Sequence, residues 1–218
     1  ERNVISGNTD DGVWLVIGAN GNRVQGNYIG TDITGRLALR NGRAGILVSS
    51  AVSNLIGGSW ATEGNLISGN GDPSRTDSGA GIQMIGATAS ANVIQGNRIG
   101  TDVAGTVALG NYREGIYLVS ACSNQIGGAA SDLGNVVAAN RLRGIRLTNA
   151  CWNVMRNNRL GTALDGVTDL GNGQFTVELE EGSSNNTIGA GPGLGNIIAY
   201  TKSTHAGVRV RAFCTNNL

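Results

Sequence analysis

Short apolar runs opened by glycine punctuate the chain. They are Gly12-Val13, Gly45-Ile46, Gly81-Ile82, Gly115-Ile116, Gly144-Ile145 and Gly207-Val208, with Thr176-Val177 as a variant. Each run alternates. From Ile116 to Val119, Ile116 and Leu118 fall on one side and Tyr117 on the other, which is the period of a strand. Nowhere do apolar residues recur at helical spacing. Behind each run stand two Asn-x-aliphatic steps. The first step comprises Asn22, Asn54, Asn92, Asn124, Asn153, Asn185 or Asn186, and Asn216; the second comprises Asn3, Asn27, Asn65, Asn97, Asn135, Asn158 and Asn196. Self-similarity at about thirty residues marks a solenoid. Three short strands per turn, joined by Gly, Asn and Ser corners, predict an all-β right-handed parallel β-helix of about six to seven coils. Its strands would lie about 4.8 Å apart. Asparagine suits the corners, because it tolerates left-handed backbone and can bond to its equivalent one coil away.

A longer period is superimposed. The segment GNYIGTDITGRLALRN, from Gly26 to Asn41, returns as GNRIGTDVAGTVALGN from Gly96 to Asn111, and in worn form from Asn157 to Asn172. Intervening coils carry a different insertion, IGGSWATEGN or IGGAASDLGN, so the repeating unit is a pair of coils. Outward residues of the third strand alternate in step: Tyr28, Arg98 and Arg159 against Leu66, Val136 and Ile197. Leu39, Leu109 and Leu170 of the insertions are expected to fold over those aliphatics as a side buttress. The GIxL, SNxIGG and GNxISGN pattern resembles the right-handed β-helix repeats of the pectate-lyase-like superfamily. The IGTDxxGxxALGN unit is similar to segments of repeat-rich, exported bacterial proteins. The resemblance spans nearly the whole chain and implies the fold. It leaves activity open, because this fold carries lyases, hydrolases, epimerases and adhesins.

Composition narrows the function classes. Glycine supplies 36 of 218 residues, proline 2, and aromatics 4%. That combination excludes collagen, and an apolar share of 40% argues against a disordered tract. The net charge is +1, with no basic cluster of the kind a nucleic-acid partner requires. No apolar run is long enough to span a membrane. The residues at both ends read as interrupted coils: Asn3-Val4-Ile5 as part of a third strand and Asn216-Asn217-Leu218 as part of a second. One domain covering 1–218, cut from a larger parent chain, is the expectation, with end-to-end stacking as the other way to cover the ends.

Candidate chemistry is sparse. Asp10 and Asp11 echo the paired aspartates that a resemblance to polygalacturonases would make catalytic, but the sole histidine, His205, falls many coils away and the pair reads as a solvated turn. Asp32 and Asp102 read as turn formers, too far apart to share a metal ion. Cys122, Cys151 and Cys214 each fall two residues before an asparagine of the first step. The parallel alignment of Cys122 and Cys151 favours stacked thiols over a disulfide, and their spacing matches no zinc pattern. The outward face of the first strand is richer. Up the stack it reads Trp14, Leu47, Gln83, Tyr117, Arg146, Glu178 and Arg209, with Val16, Ser49, Ile85, Val119, Thr148, Glu180 and Arg211 two residues along. Trp14, Tyr117, Arg146, Glu178 and Arg209 are the candidate ligand-binding residues; no catalytic residue, metal site or cofactor is assigned. Resemblance to the pectate-lyase-like enzymes implies a polysaccharide along this face, and ion pairing between coils is the competing role. The first functional reading is a non-catalytic structural or adhesive module of a secreted or cell-surface bacterial protein. The alternative is a polysaccharide-binding module or carbohydrate-active enzyme, the latter a lyase or glycoside hydrolase.

Overall fold

A computed structural model describes residues 2–59, 62–75, 79–202 and 204–217. The chain winds as a β-helix with three parallel sheets. The first sheet holds seven strands, Val13–Leu15, Ile46–Ser49, Ile82–Ile85, Ile116–Val119, Ile145–Thr148, Val177–Glu180 and Val208–Val210. The second sheet has six strands and begins at Arg23–Val24. The third has seven and begins at Val4–Ile5. Every pairing runs in register to the equivalent residue of the next coil, as in Ile116↔Ile145 and Tyr117↔Arg146. The interior is therefore columns of like side chains: Ile46, Ile82, Ile116 and Ile145 are wholly buried, as are Ile56, Ile94 and Ile126. At roughly 25 cal/mol per Å2 of apolar surface removed from water, these columns supply the main drive for coiling.

The glycine that opens each run has a steric reason. A Cβ on Gly81 would stand 2.7 Å from the Gly115 carbonyl oxygen and 2.8 Å from the Asn111 side chain. A side chain fits only where the neighbouring coil gives way, as at Thr176.

The asparagines stack as expected, with three differences. The first-step column runs through Asn22, Asn54, Asn92, Asn124, Asn153, Asn186 and Asn217, so Asn185 and Asn216 are the corner residues before it. Consequently Cys214 lies three residues before its ladder asparagine, and it packs inward against the core instead of joining the Cys122 column. A third column, Asn8, Asn41, Asn70, Asn111, Asn140 and Asn172, was not foreseen. Within a column the backbone N–H and the side-chain amide of one asparagine both donate to the Oδ1 of the next. For Asn54 onto Asn92 the distances are 2.9 and 3.1 Å.

The insertions differ from expectation too. Thr31–Ala38, Thr101–Ala108 and Thr162–Asp169 close antiparallel bridges. In the two intact copies, Asp32 and Asp102 each cap their own turn: Asp32 accepts from the Arg36 and Leu37 amides, and Asp102 from the Thr106 and Val107 amides. Leu66 is covered by the tip of the insertion near Gly35 and by Tyr28 and Val103. Leu39 instead lies beside Gly7 and is half exposed, so it is not the cover over Leu66. Trp60 and Ala61 of the other insertion lie outside the described residues. Cys122 and Cys151 form a disulfide across adjacent coils, Cα atoms 4.6 Å apart, against the expectation of stacked thiols. The pair sits at a corner, ahead of the strands, where side chains escape the parallel alignment of a pleated ladder.

Candidate functional site

The outward face of the first sheet gathers charge at the coils begun by Ile116, Ile145, Val177 and Val208. In-register pairing sets Tyr117, Arg146, Glu178 and Arg209 in one column, one to each coil. Thr148 and Glu180 pair in the next column, two residues along. The turn two residues before each strand start adds Glu114, Arg143 and Phe175 above this face.

The carboxylates point outward yet are shut off from solvent. Glu114 and Glu178 are 0% exposed and Glu180 is 1% exposed. Arginines cover them. Arg143 Nε donates to Glu178 Oε2 at 2.7 Å, and Arg209 donates to Glu178 Oε1. Arg146 Nε reaches past its direct neighbour Glu178 to Glu180 Oε1 at 2.7 Å. Arg211 holds the other oxygen of Glu180 at 2.8 Å. Glu114 accepts from Arg143 and Arg146, each at 3.4 Å, and from Arg113 at 3.5 Å. Arg209 pairs with Glu178 straight across the register, while Arg146 to Glu180 and Arg143 to Glu178 run diagonally, so rungs and diagonals together form a mesh.

Aromatic rings align the guanidinium planes. Arg146 lies 4.7 Å over the Tyr117 ring, and Arg209 lies 3.7 Å over the Phe175 ring. The His205 ring meets Phe175 edge-on at 4.5 Å. Thr148 joins the mesh through contacts with the Tyr117 hydroxyl at 3.3 Å and Glu180 Oε1 at 3.1 Å. For Arg146, burial would lower the pKa, but the hydrogen bond it donates to Glu180 and the nearby Tyr117 and Glu114 raise it on balance. For Glu180, burial would raise the pKa, yet Arg146, Thr148 and Arg211 hold it below the usual carboxylate value.

Of the predicted ligand-binding residues, the fold brings together Tyr117, Arg146, Glu178 and Arg209. It leaves Trp14 apart: Leu47 and Gln83 stand between Trp14 and Tyr117 in the column, a separation of about 14 Å at strand spacing. Trp14 remains 60% exposed. Glu114 and Arg143 were missed because they sit in the turn, where other coils place Ala44 and Ala80. Asp10 and Asp11 do not act as a pair. Asp10 bonds Arg43 at 2.9 Å, while Asp11 accepts the Ala44 amide at 2.8 Å and burial raises its pKa.

Chemically, the mesh is a fixed array of five arginines on three buried carboxylates. Arg209 and Arg211 keep 31% and 49% of their side chains in solvent. Guanidinium planes held this way offer paired N–H donors to a planar anion.

No family profile matches the chain, and no curated protein shows significant similarity to it. Among solved structures it is similar to a double mutant of the periplasmic alginate epimerase AlgG, with a TM-score of 0.51 and 14% identity over 100% of this chain. Unsubstituted AlgG matches 99% of this chain at 15% identity and a TM-score of 0.49. The chain spans 44% of the length of either structure. At such identity the likeness establishes the β-helix architecture.

Proposed function

We propose that the protein is a β-helix module that binds an acidic polysaccharide along the outer face of its first sheet, without chemically altering it. The observation that carries this reading is an outward mesh whose carboxylates are wholly buried while Arg209 and Arg211 remain partly in solvent. The arginines are prepaid: Glu114, Glu178 and Glu180 fix their directions, and the side chains of Arg209 and Arg211 stay partly in solvent. A uronate chain laid along the stack would present carboxylates to those donors and sugar faces to Tyr117. Preorganised side chains lose less entropy on binding, so modest contacts suffice. That a periplasmic alginate epimerase shares this architecture is in keeping with a polysaccharide ligand.

A binding role is favoured over turnover because each of the three carboxylates already accepts hydrogen bonds from arginine, which leaves it poorly placed to take a proton from a sugar. The Cys122–Cys151 disulfide supports an exported, oxidising setting. A purely structural role is the second reading, and the completeness of the ion pairing speaks for it.

The test is calorimetric titration with polygalacturonate oligomers and, in parallel, neutral dextran oligomers. Binding of the acidic chain only, weakened about tenfold in Arg209→Gln, is expected. Indifference to every acidic polymer at low salt would leave the scaffold reading in place.

A further inference from the structure

A second face of the solenoid carries an aromatic that folding does not explain. Each ladder asparagine of the second sheet is preceded by a corner residue in the left-handed conformation. That column reads Gly21, Ser53, Ala91, Ser123, Trp152, Asn185 and Asn216, all with positive φ. Gly21, Asn185 and Asn216 are of the types that bear this conformation at least cost, and Ser53, Ala91 and Ser123 bring only small side chains to it. Trp152, at φ 55°, is the exception. It gains no core contact in return, because it is 62% exposed.

The indole instead walls a hollow of about 330 Å3 on the outer face of the second sheet. Val93, Gln125 and Val154, one from each of three successive coils, form its floor, and Arg156 stands at its edge. The small residues Ala91 and Ser123 leave the space open beside the ring. Arg156 is held in place by a neutral acceptor, Gln125 Oε1, at 2.5 Å, while Gln125 itself is braced on the Gly127 carbonyl at 2.7 Å. Among the described residues Arg156 has no carboxylate partner, and its Nε is buried without a hydrogen bond. The disulfide closes directly before Ser123 and Trp152, and so clamps the two corners that shape the hollow.

From this juxtaposition we infer that the hollow beside Trp152 is a binding site for a single acidic sugar unit, whose ring stacks on the indole while its carboxylate pairs with Arg156. A pyranose has one face of C–H bonds that suits an aromatic plate, and a cation without a counter-charge selects the carboxylate. The volume is at the low end of small-ligand pockets, enough for one or two rings. The site lies on a different sheet from the arginine mesh, and does not depend on ligand binding there.

The test follows the indole N–H signals in nuclear magnetic resonance spectra during titration with digalacturonic acid, with galactobiose as the neutral control. Trp152 reports the hollow, and Trp14, set apart from both sites, serves as the reference. The Trp152 signal is expected to shift saturably with the acid only, with affinity at least tenfold lower in Arg156→Gln. Trp152→Asn, which restores the residue type of the next coil, is expected to abolish binding while keeping or raising the melting temperature. An unmoved Trp152 signal, equal response to the neutral sugar, or undiminished affinity in Arg156→Gln would each overturn the assignment. A lowered melting temperature in Trp152→Asn would also overturn it, since the ring would then be packing. Calorimetric binding of the acid that is lost in Arg209→Gln, with an unmoved Trp152 signal, would leave the first-sheet proposal standing and remove this one.

Discussion

Replacing Glu178 by glutamine separates two ways in which an arginine cluster can hold a polyanion. In the folded protein this carboxylate accepts from Arg143 Nε at 2.7 Å, from Arg209, and from Arg211 Nε at 3.5 Å, with no exposure of its own. Glutamine keeps the shape but offers one acceptor oxygen and no charge. Removing one member of a buried ion pair costs about 3–5 kcal/mol. Here the released guanidiniums are 16%, 31% and 49% exposed, so water can take up part of the loss. A destabilisation of about 2–3 kcal/mol by urea unfolding is the result expected from that discount. Binding is the sharper readout. The substitution makes the face one unit more positive, and one more unit charge about 6 Å from a carboxylate in water contributes about 0.7 kcal/mol. If charge count alone governed affinity, polygalacturonate oligomers would bind roughly three-fold tighter. If the direction of the arginines governs it, Arg143 and Arg209 lose their anchor and affinity falls about tenfold despite the added charge. Calorimetry at low and at physiological ionic strength measures this directly. Tighter binding by a folded Glu178→Gln protein would refute the preorganisation argument.

Two further outcomes probe the frame beneath the site. Asn92→Ala deletes four side-chain hydrogen bonds and strands the buried Ala51 carbonyl, the Asn54 N–H and an Asn54 amide hydrogen. At about 1–3 kcal/mol for each unsatisfied group, urea denaturation should report a loss of about 3–6 kcal/mol. The second concerns acid. Because Glu180 is held below its ordinary value of 4.5, its contribution is fully present above that pH and drains away as pH falls through the lower folded value. The urea midpoint of the native protein should therefore drop on acidification below about pH 4.5, less steeply in Glu180→Gln; identical acid profiles would contradict the role given to Arg146 and Arg211.

The architecture was legible because identical positions recur in identical surroundings. Once Ile116 is read as inward, Ile82 and Ile145 follow, and the strand pairing is settled. Ambiguity entered where the sequence doubles a residue: Asn185 and Asn186 both satisfy the pattern, and only the hydrogen bond to Asn153 decides between them. The third asparagine column escaped notice because insertions vary its distance from the preceding strand and because Asn70 breaks the constant spacing that Asn8, Asn41, Asn111, Asn140 and Asn172 keep to the strand that follows. The mesh was half legible. Its strand residues stood in one column of the alternation, but Glu114 and Arg143 belong to a turn, where periodicity says nothing about direction. Nor does a register table reveal that Arg146 bypasses Glu178 for Glu180. Trp152 was invisible as a signal until its backbone conformation could be set against Ser123 and Asn185 at the equivalent corners.

The asparagine columns impose a grammar on how such a chain can lengthen. In all three, each asparagine side chain donates to the asparagine oxygen of the coil that follows, while its own oxygen accepts from the coil that precedes. The stack therefore has polarity, like a row of dipoles laid head to tail. A coil can be added only whole and in one orientation, since an inverted one would set donor against donor. A gene that grows by copying must then copy complete cassettes. The near-verbatim recurrence of Gly26 to Asn41 as Gly96 to Asn111 is the trace such a rule would leave.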